Sequence, residues 1–209
     1  MVQIAEINPK KTFTDFLRSR FKGLIEPIGA FLNKLGILPN TMTLIGLAGQ
    51  IGAAVLLAFG YIQWGGLALL LMAPMDALDG TMARLRGKPS RFGGFLDSVV
   101  DRFAELALFA GLLVHFVRLE QWLLVVITYL AAAGAVMVSY SRARGESLGF
   151  NVKVGLLTRV ERYIVIIACF ILNIPQVAVW ILAVLTNVTA IQRIMAVHKQ
   201  AAEQNDLLI

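Results

Sequence analysis

At 209 residues the chain has the length of one domain or a small helical bundle, yet 58% of it is hydrophobic and only 15% charged. A water-soluble domain carries roughly a quarter charged residues, so with a mean hydropathy of +0.74 the bilayer is the default solvent. Nineteen Lys and Arg against thirteen Asp and Glu give a net charge of +6, which admits anionic lipid, phosphate-bearing substrates or nucleic acid until the placement of the charges decides. The single cysteine, Cys169 in the apolar run IIACFILN, excludes an intramolecular disulfide framework and a cysteine metal cluster.

The first residues are charged throughout and lack the continuous apolar core of a cleavable signal. From Phe13 to Leu35, Phe13, Phe16, Leu17, Phe21, Leu24, Ile28, Phe31 and Leu35 recur at near-helical spacing with Lys11, Asp15, Arg18, Arg20, Lys22 and Lys34 between them. This predicts an interfacial amphipathic helix within residues 1–36, bent at Pro27, or equally a surface helix packed on a bundle. Six apolar stretches long enough to cross a bilayer follow within 37–200, at about 38–60, 64–86, 94–117, 121–143, 156–174 and 176–198. Residues 201–209 form a cytoplasmic tail. The expected fold is therefore all-α and polytopic.

With a cytoplasmic amino terminus, six crossings return the carboxyl terminus to the same side, and eighteen of the nineteen Lys and Arg fall there. Only Arg118 faces outward. That asymmetry is the positive-inside pattern and predicts an integral cell-membrane protein with both termini and its chemistry at the cytoplasmic side. Charge confined to membrane flanks leaves nucleic acid off the list of expected partners.

Asp76 and Asp79 fall near the cytoplasmic end of the second stretch, and Asp97, Asp101 and Glu105 in the first half of the third. A charge at the centre of a span costs at least about 2.5 kcal/mol, so five acids in two helices need a reason. Positions 76 and 79 are i and i+3, and 97 and 101 are i and i+4, so each pair shares a helix face. Two such faces meeting across antiparallel helices would gather four carboxylates that repel unless cations compensate. Hard divalent ions, Mg²⁺ or Mn²⁺, are the economical answer, and a two-ion site of this kind binds a phosphoryl group. Salt bridges to Arg84, Arg86 and Arg102, or a cation pathway, are the other readings of the cluster. Gly80, Ala83, Gly93 and Gly94 leave room for a ligand or for helix packing, and Arg84 offers a planar donor set to a diphosphate.

Taken together, Asp76-Ala-Leu-Asp79-Gly80-Thr-Met-Ala83-Arg84, eight residues, then Gly93-Gly-Phe-Leu-Asp97-Ser-Val-Val-Asp101 resembles the CDP-alcohol phosphotransferase signature D-x2-D-G-x2-A-R-x8-G-x3-D-x3-D at every fixed position. The resemblance implies transfer of a substituted phosphate from a CDP-linked alcohol, usually CDP-diacylglycerol, to an acceptor hydroxyl with release of CMP. It further implies that Asp76, Asp79 and Asp97 hold the metals, and that Asp101 is both a ligand and the general base. Gly80, Arg84 and Ser90 would line the CDP-lipid pocket. Asn40 and Thr43, in the similar Pro39-Asn-Thr-Met-Thr43 segment, would complete it; helix capping by Asn40 or Thr41 is the alternative. Homodimers are expected from the same resemblance, and Gly111 and Gly134 fit a subunit interface or internal packing alike.

SYSRARGESLG and GLLTRVERY are similar to the inositol-phosphate-using members of the family and their archaeal archaetidyl counterparts. Independently, Arg142, Arg144, Lys153, Arg159, Arg162 and Arg193 gather at the cytoplasmic ends of the last three stretches, as a phosphorylated acceptor requires. Arg142, Lys153, Arg159 and Arg193 are the candidates for its phosphate; positive-inside topology and contact with membrane lipid headgroups are the plainer explanation of such residues. His115 and His198 lie outside the motif. The expected reaction joins CDP-diacylglycerol to inositol phosphate. Glycerol 3-phosphate, free inositol or serine as acceptor, and divalent-cation transport as a different class, are the rivals.

Overall fold

The computed structural model describes residues 13–87 and 90–204 and folds them into seven helices, with no strand among the described residues. They are α1 (Phe13–Lys34), α2 (Pro39–Ala58), α3 (Ile62–Leu85), α4 (Arg91–Arg118), α5 (Trp122–Ser147), α6 (Arg159–Ile171) and α7 (Pro175–Glu203). The readings of residues 1–12, of Lys88 and Pro89, and of the tail beyond 204 lie outside the described residues, as do the side chains of Phe13, Phe16, Leu17, Phe21 and Leu24.

Four helices, α2, α3, α5 and α7, are long and apolar enough to cross a membrane. The other two predicted crossings differ for physical reasons. At 28 residues α4 has the length, but its acids and arginines interrupt the apolar face. By contrast, α6 has only 13 residues, because the chain from Asn151 to Thr158 is irregular and the helix begins at Arg159, not at 156.

Helix boundaries follow local chemistry. Pro39 and Pro175 occupy the first turns of α2 and α7, where their missing N–H is no loss and their fixed φ suits the helix. Neither Asn40 nor Thr41 caps α2, whose cap residue is the extended Leu38 without a side-chain hydrogen bond. After α2, Gly60 turns left-handed at φ 88°, and Tyr61 N donates back to Leu56 O at 2.9 Å, a Schellman closure. Glu120 and Asn173 perform the same turn after α4 and α6 at φ 56° and 58°.

Two apolar clusters hold the helices. The larger joins α2 to α7 through Leu57, Leu69, Leu108, Phe116, Phe170 and Leu182, while Met42, Leu78 and Met82 meet Ile25, Leu32 and Ile37 beneath α1. α1 lies against α3: Gly29 is buried against Thr81 and Met82, and Asn33 Nδ2 donates to Met82 O at 3.1 Å. Its opposite face leaves Ile28, Phe31 and Leu35 exposed, and Pro27 sits inside the helix without ending it.

Gly111 packs directly on the Ala54 backbone of α2, and Gly134 on Thr186 of α7. Both serve internal helix contacts, which settles the choice between interface and packing at these two positions. Elsewhere large apolar side chains such as Ile51, Leu71, Leu123, Val184 and Ile194 face outward, as a lipid-facing surface requires.

Candidate active site

The last turns of α3 and the first half of α4 carry the motif acids, and the start of α2 meets them through Thr43. Asp79 is 6% exposed and accepts a hydrogen bond from Thr43 Oγ1 at 2.7 Å. Asp101, 8% exposed, points into the same space from α4. Asp76 and Asp97 are half-buried, and Asp79, Asp97 and Asp101 all lie within the electrostatic field of Asp76. The i, i+3 and i, i+4 pairs thus face one another across the α3–α4 hairpin.

Of the nucleotide-side candidates, Asn40 and Ser90 meet around Gly93. A Cβ placed on Gly93 would stand 3.3 Å from Asn40 Oδ1 and 2.8 Å from Ser90 Oγ, so glycine permits the start of α4 to approach α2. Ser90 caps α4 by accepting a hydrogen bond from Gly93 N at 2.8 Å, a role separate from the pocket role expected of it. Arg84 folds back on its own helix, with Nη2 2.8 Å from Thr81 Oγ1 and Nη1 against the Gly80 face.

The arginines that meet the acids come from α6, more than fifty residues away. Arg159 Nη2 lies 2.6 Å from Asp76 Oδ2 and 2.7 Å from Asp101 Oδ1, with its guanidinium 5.3 Å from the Tyr163 ring centroid. One turn on, Arg162 forks onto Glu105, with Nε to Oε1 at 2.7 Å and Nη2 to Oε2 at 3.0 Å. Of the three partners considered from sequence, only Arg102 reaches an acid, at 3.6 Å from Asp101; Arg86 is held by Asn33 and the Ile37 carbonyl.

The remaining acceptor candidates sit apart from the acids, with no polar contact to them among the described residues. Arg142 pairs with Glu146 at 2.9 Å on an exposed surface. Arg193 is buried and donates to the carbonyls of Val154, at 3.0 Å, and Val138, tying the loop before α6 to α5. Lys153 stands on that loop, exposed, and Gln200 anchors the loop to α7 through Asn151 at 2.8 and 2.9 Å.

The donor set has the chemistry a divalent cation prefers: carboxylate oxygens with a hydroxyl nearby. As they stand, no three acidic, His or Cys side chains among the described residues converge on one point, and Arg159 stands between Asp76 and Asp101. A guanidinium and a cation answer the same need of repelling acids.

A family model described as CDP-alcohol phosphatidyltransferase matches residues 36–192. The chain belongs to this family. It is 36% identical over 209 aligned residues to the phosphatidylinositol phosphate synthase of Streptomyces avermitilis, covering 93% of this chain and 86% of that one. To the archaetidylinositol phosphate synthase of Pyrococcus horikoshii it is 36% identical, over 88% of this chain and 96% of that protein. Mycobacterium tuberculosis phosphatidylinositol phosphate synthase, PgsA1, has been solved with CDP-DAG bound and in complex with manganese and citrate. Both structures are 30% identical with TM-scores of 0.78, over 83% of this chain and 92% and 88% of theirs. As a CDP-alcohol phosphatidyltransferase the chain is a transferase of phospholipid synthesis, and the family's use of divalent metal accords with its oxygen-rich acids.

Proposed function

We propose that this phosphatidyltransferase moves the phosphatidyl group of CDP-diacylglycerol to a hydroxyl of inositol phosphate, releasing CMP, at the cytoplasmic face of the membrane. The observation that carries the reading is the bridging of Asp76 and Asp101 by Arg159, next to an Asp79 held by Thr43. The printed activities of the relatives in Streptomyces and Pyrococcus support inositol phosphate over glycerol 3-phosphate, serine or free inositol. Membership of a transferase family removes the reason to read the acids as a transport path.

In this reading α2 to α7 make six crossings with both termini cytoplasmic, α4 and α6 being carried across by the apolar helices around them. The exposed Ile28, Phe31 and Leu35 of α1 rest at the lipid–water interface. Two copies form a homodimer.

Asp76, Asp79, Asp97 and Asp101 would hold two divalent ions, Mg²⁺ or Mn²⁺, which neutralise charge on the diphosphate when bound. Asn40, Thr43, Gly80, Arg84 and Ser90 receive the CDP end of the lipid. Asp101 takes the proton of the acceptor hydroxyl; the freed oxygen forms a bond to the lipid-side phosphorus as the bond to the CMP oxygen breaks, in a direct displacement. Arg159, with Arg142, Lys153 and Arg193, holds the acceptor phosphate.

The test is CMP release by purified protein given CDP-diacylglycerol and Mg²⁺, with and without inositol phosphate. Release that needs both inositol phosphate and Asp101 bears the reading out. Release with another alcohol alone moves the acceptor, and none with any alcohol or metal overturns the transfer.

A further inference from the structure

The contact between Arg159 and the acids is electrostatic without being well bonded. Two carboxylate oxygens from different helices converge on one nitrogen, Nη2, at 2.6 and 2.7 Å, yet neither lies along an N–H direction, and Nε is buried with no hydrogen-bond partner. The guanidinium offsets part of the charge of the two acids while Nε and Nη2 make no directed hydrogen bond, a costly state for a buried polar group. One turn along α6 the opposite holds. Arg162 is fully forked onto Glu105, which holds the helix to α4 while Arg159 keeps donors to spare. The Tyr163 ring, held by its hydroxyl on Gln50, gives the planar guanidinium a face to turn against.

Two oxygens aimed at one point are also what a divalent cation takes at about 2.0–2.1 Å, and the two cations cannot share them. We propose that Arg159 and a divalent cation displace one another from Asp76 Oδ2 and Asp101 Oδ1, and that the released guanidinium turns its forked donors to the acceptor phosphate. Cation and acceptor then bind cooperatively. Arg159 is the coupling element: with no acceptor it competes with the metal, and with an acceptor phosphate to hold it no longer does. By linkage each ligand tightens the other equally. This rests on the reading of Asp76 and Asp101 as metal ligands and of Arg159 as a phosphate contact.

The experiment measures Mn²⁺ affinity by the electron paramagnetic resonance signal of free Mn²⁺, on full-length protein in nanodiscs without CDP-lipid, so that no turnover occurs. In the wild type, inositol phosphate tightens Mn²⁺ binding roughly tenfold, inside the about 5–150-fold range of coupled sites. Arg159→Gln binds Mn²⁺ more tightly than wild type in the absence of inositol phosphate and gains nothing from its addition; Arg159→Lys, which keeps the charge and loses the fork, falls between. Equal or weaker Mn²⁺ binding by Arg159→Gln overturns the exchange. Should that variant not fold, wild-type Mn²⁺ affinity indifferent to inositol phosphate overturns it as well. Either failure alongside normal CMP release leaves the transfer reading intact, whereas no Mn²⁺ binding together with no CMP release removes both.

Discussion

Glu105 and Arg162 meet through two parallel contacts of 2.7 and 3.0 Å while only 4% and 1% exposed. In a low-dielectric interior this pair joins α4 to α6 one turn below the place where Asp101 meets Arg159. Removing one partner strands the other charge, so Arg162→Ala destabilises the protein by about 3–5 kcal/mol. Thermal unfolding in detergent, followed by intrinsic fluorescence, reads the loss. Glu105→Leu combined with Arg162→Met should recover most of it, because no charge is then left uncompensated.

Thr43→Val keeps the shape of α2 and removes the 2.7 Å donor to Asp79. A buried carboxylate deprived of one hydrogen bond loses about 1–3 kcal/mol of favourable interaction. Activity should fall roughly 5- to 150-fold on the same scale, and it should do so in KM for CDP-diacylglycerol or for metal more than in KM for inositol phosphate. A metal titration of initial rates on both proteins checks this.

Asp101→Asn retains the size of the side chain and abolishes its capacity to take a proton. Loss of a positioned base lowers the rate about 10²- to 10⁴-fold. Folding should survive, since Asp76 still meets the Arg159 guanidinium that Asp101 shares with it. Unchanged turnover would transfer the role of base elsewhere.

Gly111→Val places a branched side chain against the Ala54 backbone, where no rotamer can relieve the overlap. The α2–α4 crossing must widen, and with it the facing of Asp79 and Asp101. The variant should unfold at lower temperature and lose activity together, whereas Gly94→Ala, where nothing lies within contact of an added Cβ, should be tolerated. Comparison of the two melting curves and rates separates packing from mere loss of a glycine.

Where the site could be read in the sequence, it could because helical spacing fixes which residues share a face. The pairs 76/79 and 97/101 needed nothing more, whereas Asn40 and Thr43 were legible only through the family resemblance, and of these Thr43 meets Asp79. The partners of the acids were hidden for the converse reason: Arg159 and Arg162 lie 57 or more residues from the carboxylates they meet, and no periodicity reports which of several arginines a folded chain will deliver. The start of α6 was hidden too. Val154, Leu156 and Leu157 extend the apolar run in composition, but Val152 and Leu157 are buried from an irregular segment pinned by Arg193 and Gln200. Ser90 showed two faces of one residue, a helix cap in the structure and a pocket residue by family pattern.

The brevity of α6 reaches beyond the protein itself. Thirteen residues rise roughly 20 Å, against a hydrocarbon layer about 30 Å deep. In the six-crossing reading proposed above, a thinned or dimpled leaflet on that flank would let the bilayer meet the helix, with the irregular chain ahead of it set below the level of the surrounding headgroups. On that same reading a lipid in the depression would have its diphosphate lowered to the depth of the acids, where a water-soluble acceptor could reach it without leaving water. The shape of the bilayer beside a short helix would thus let two substrates of opposite solubility share one address.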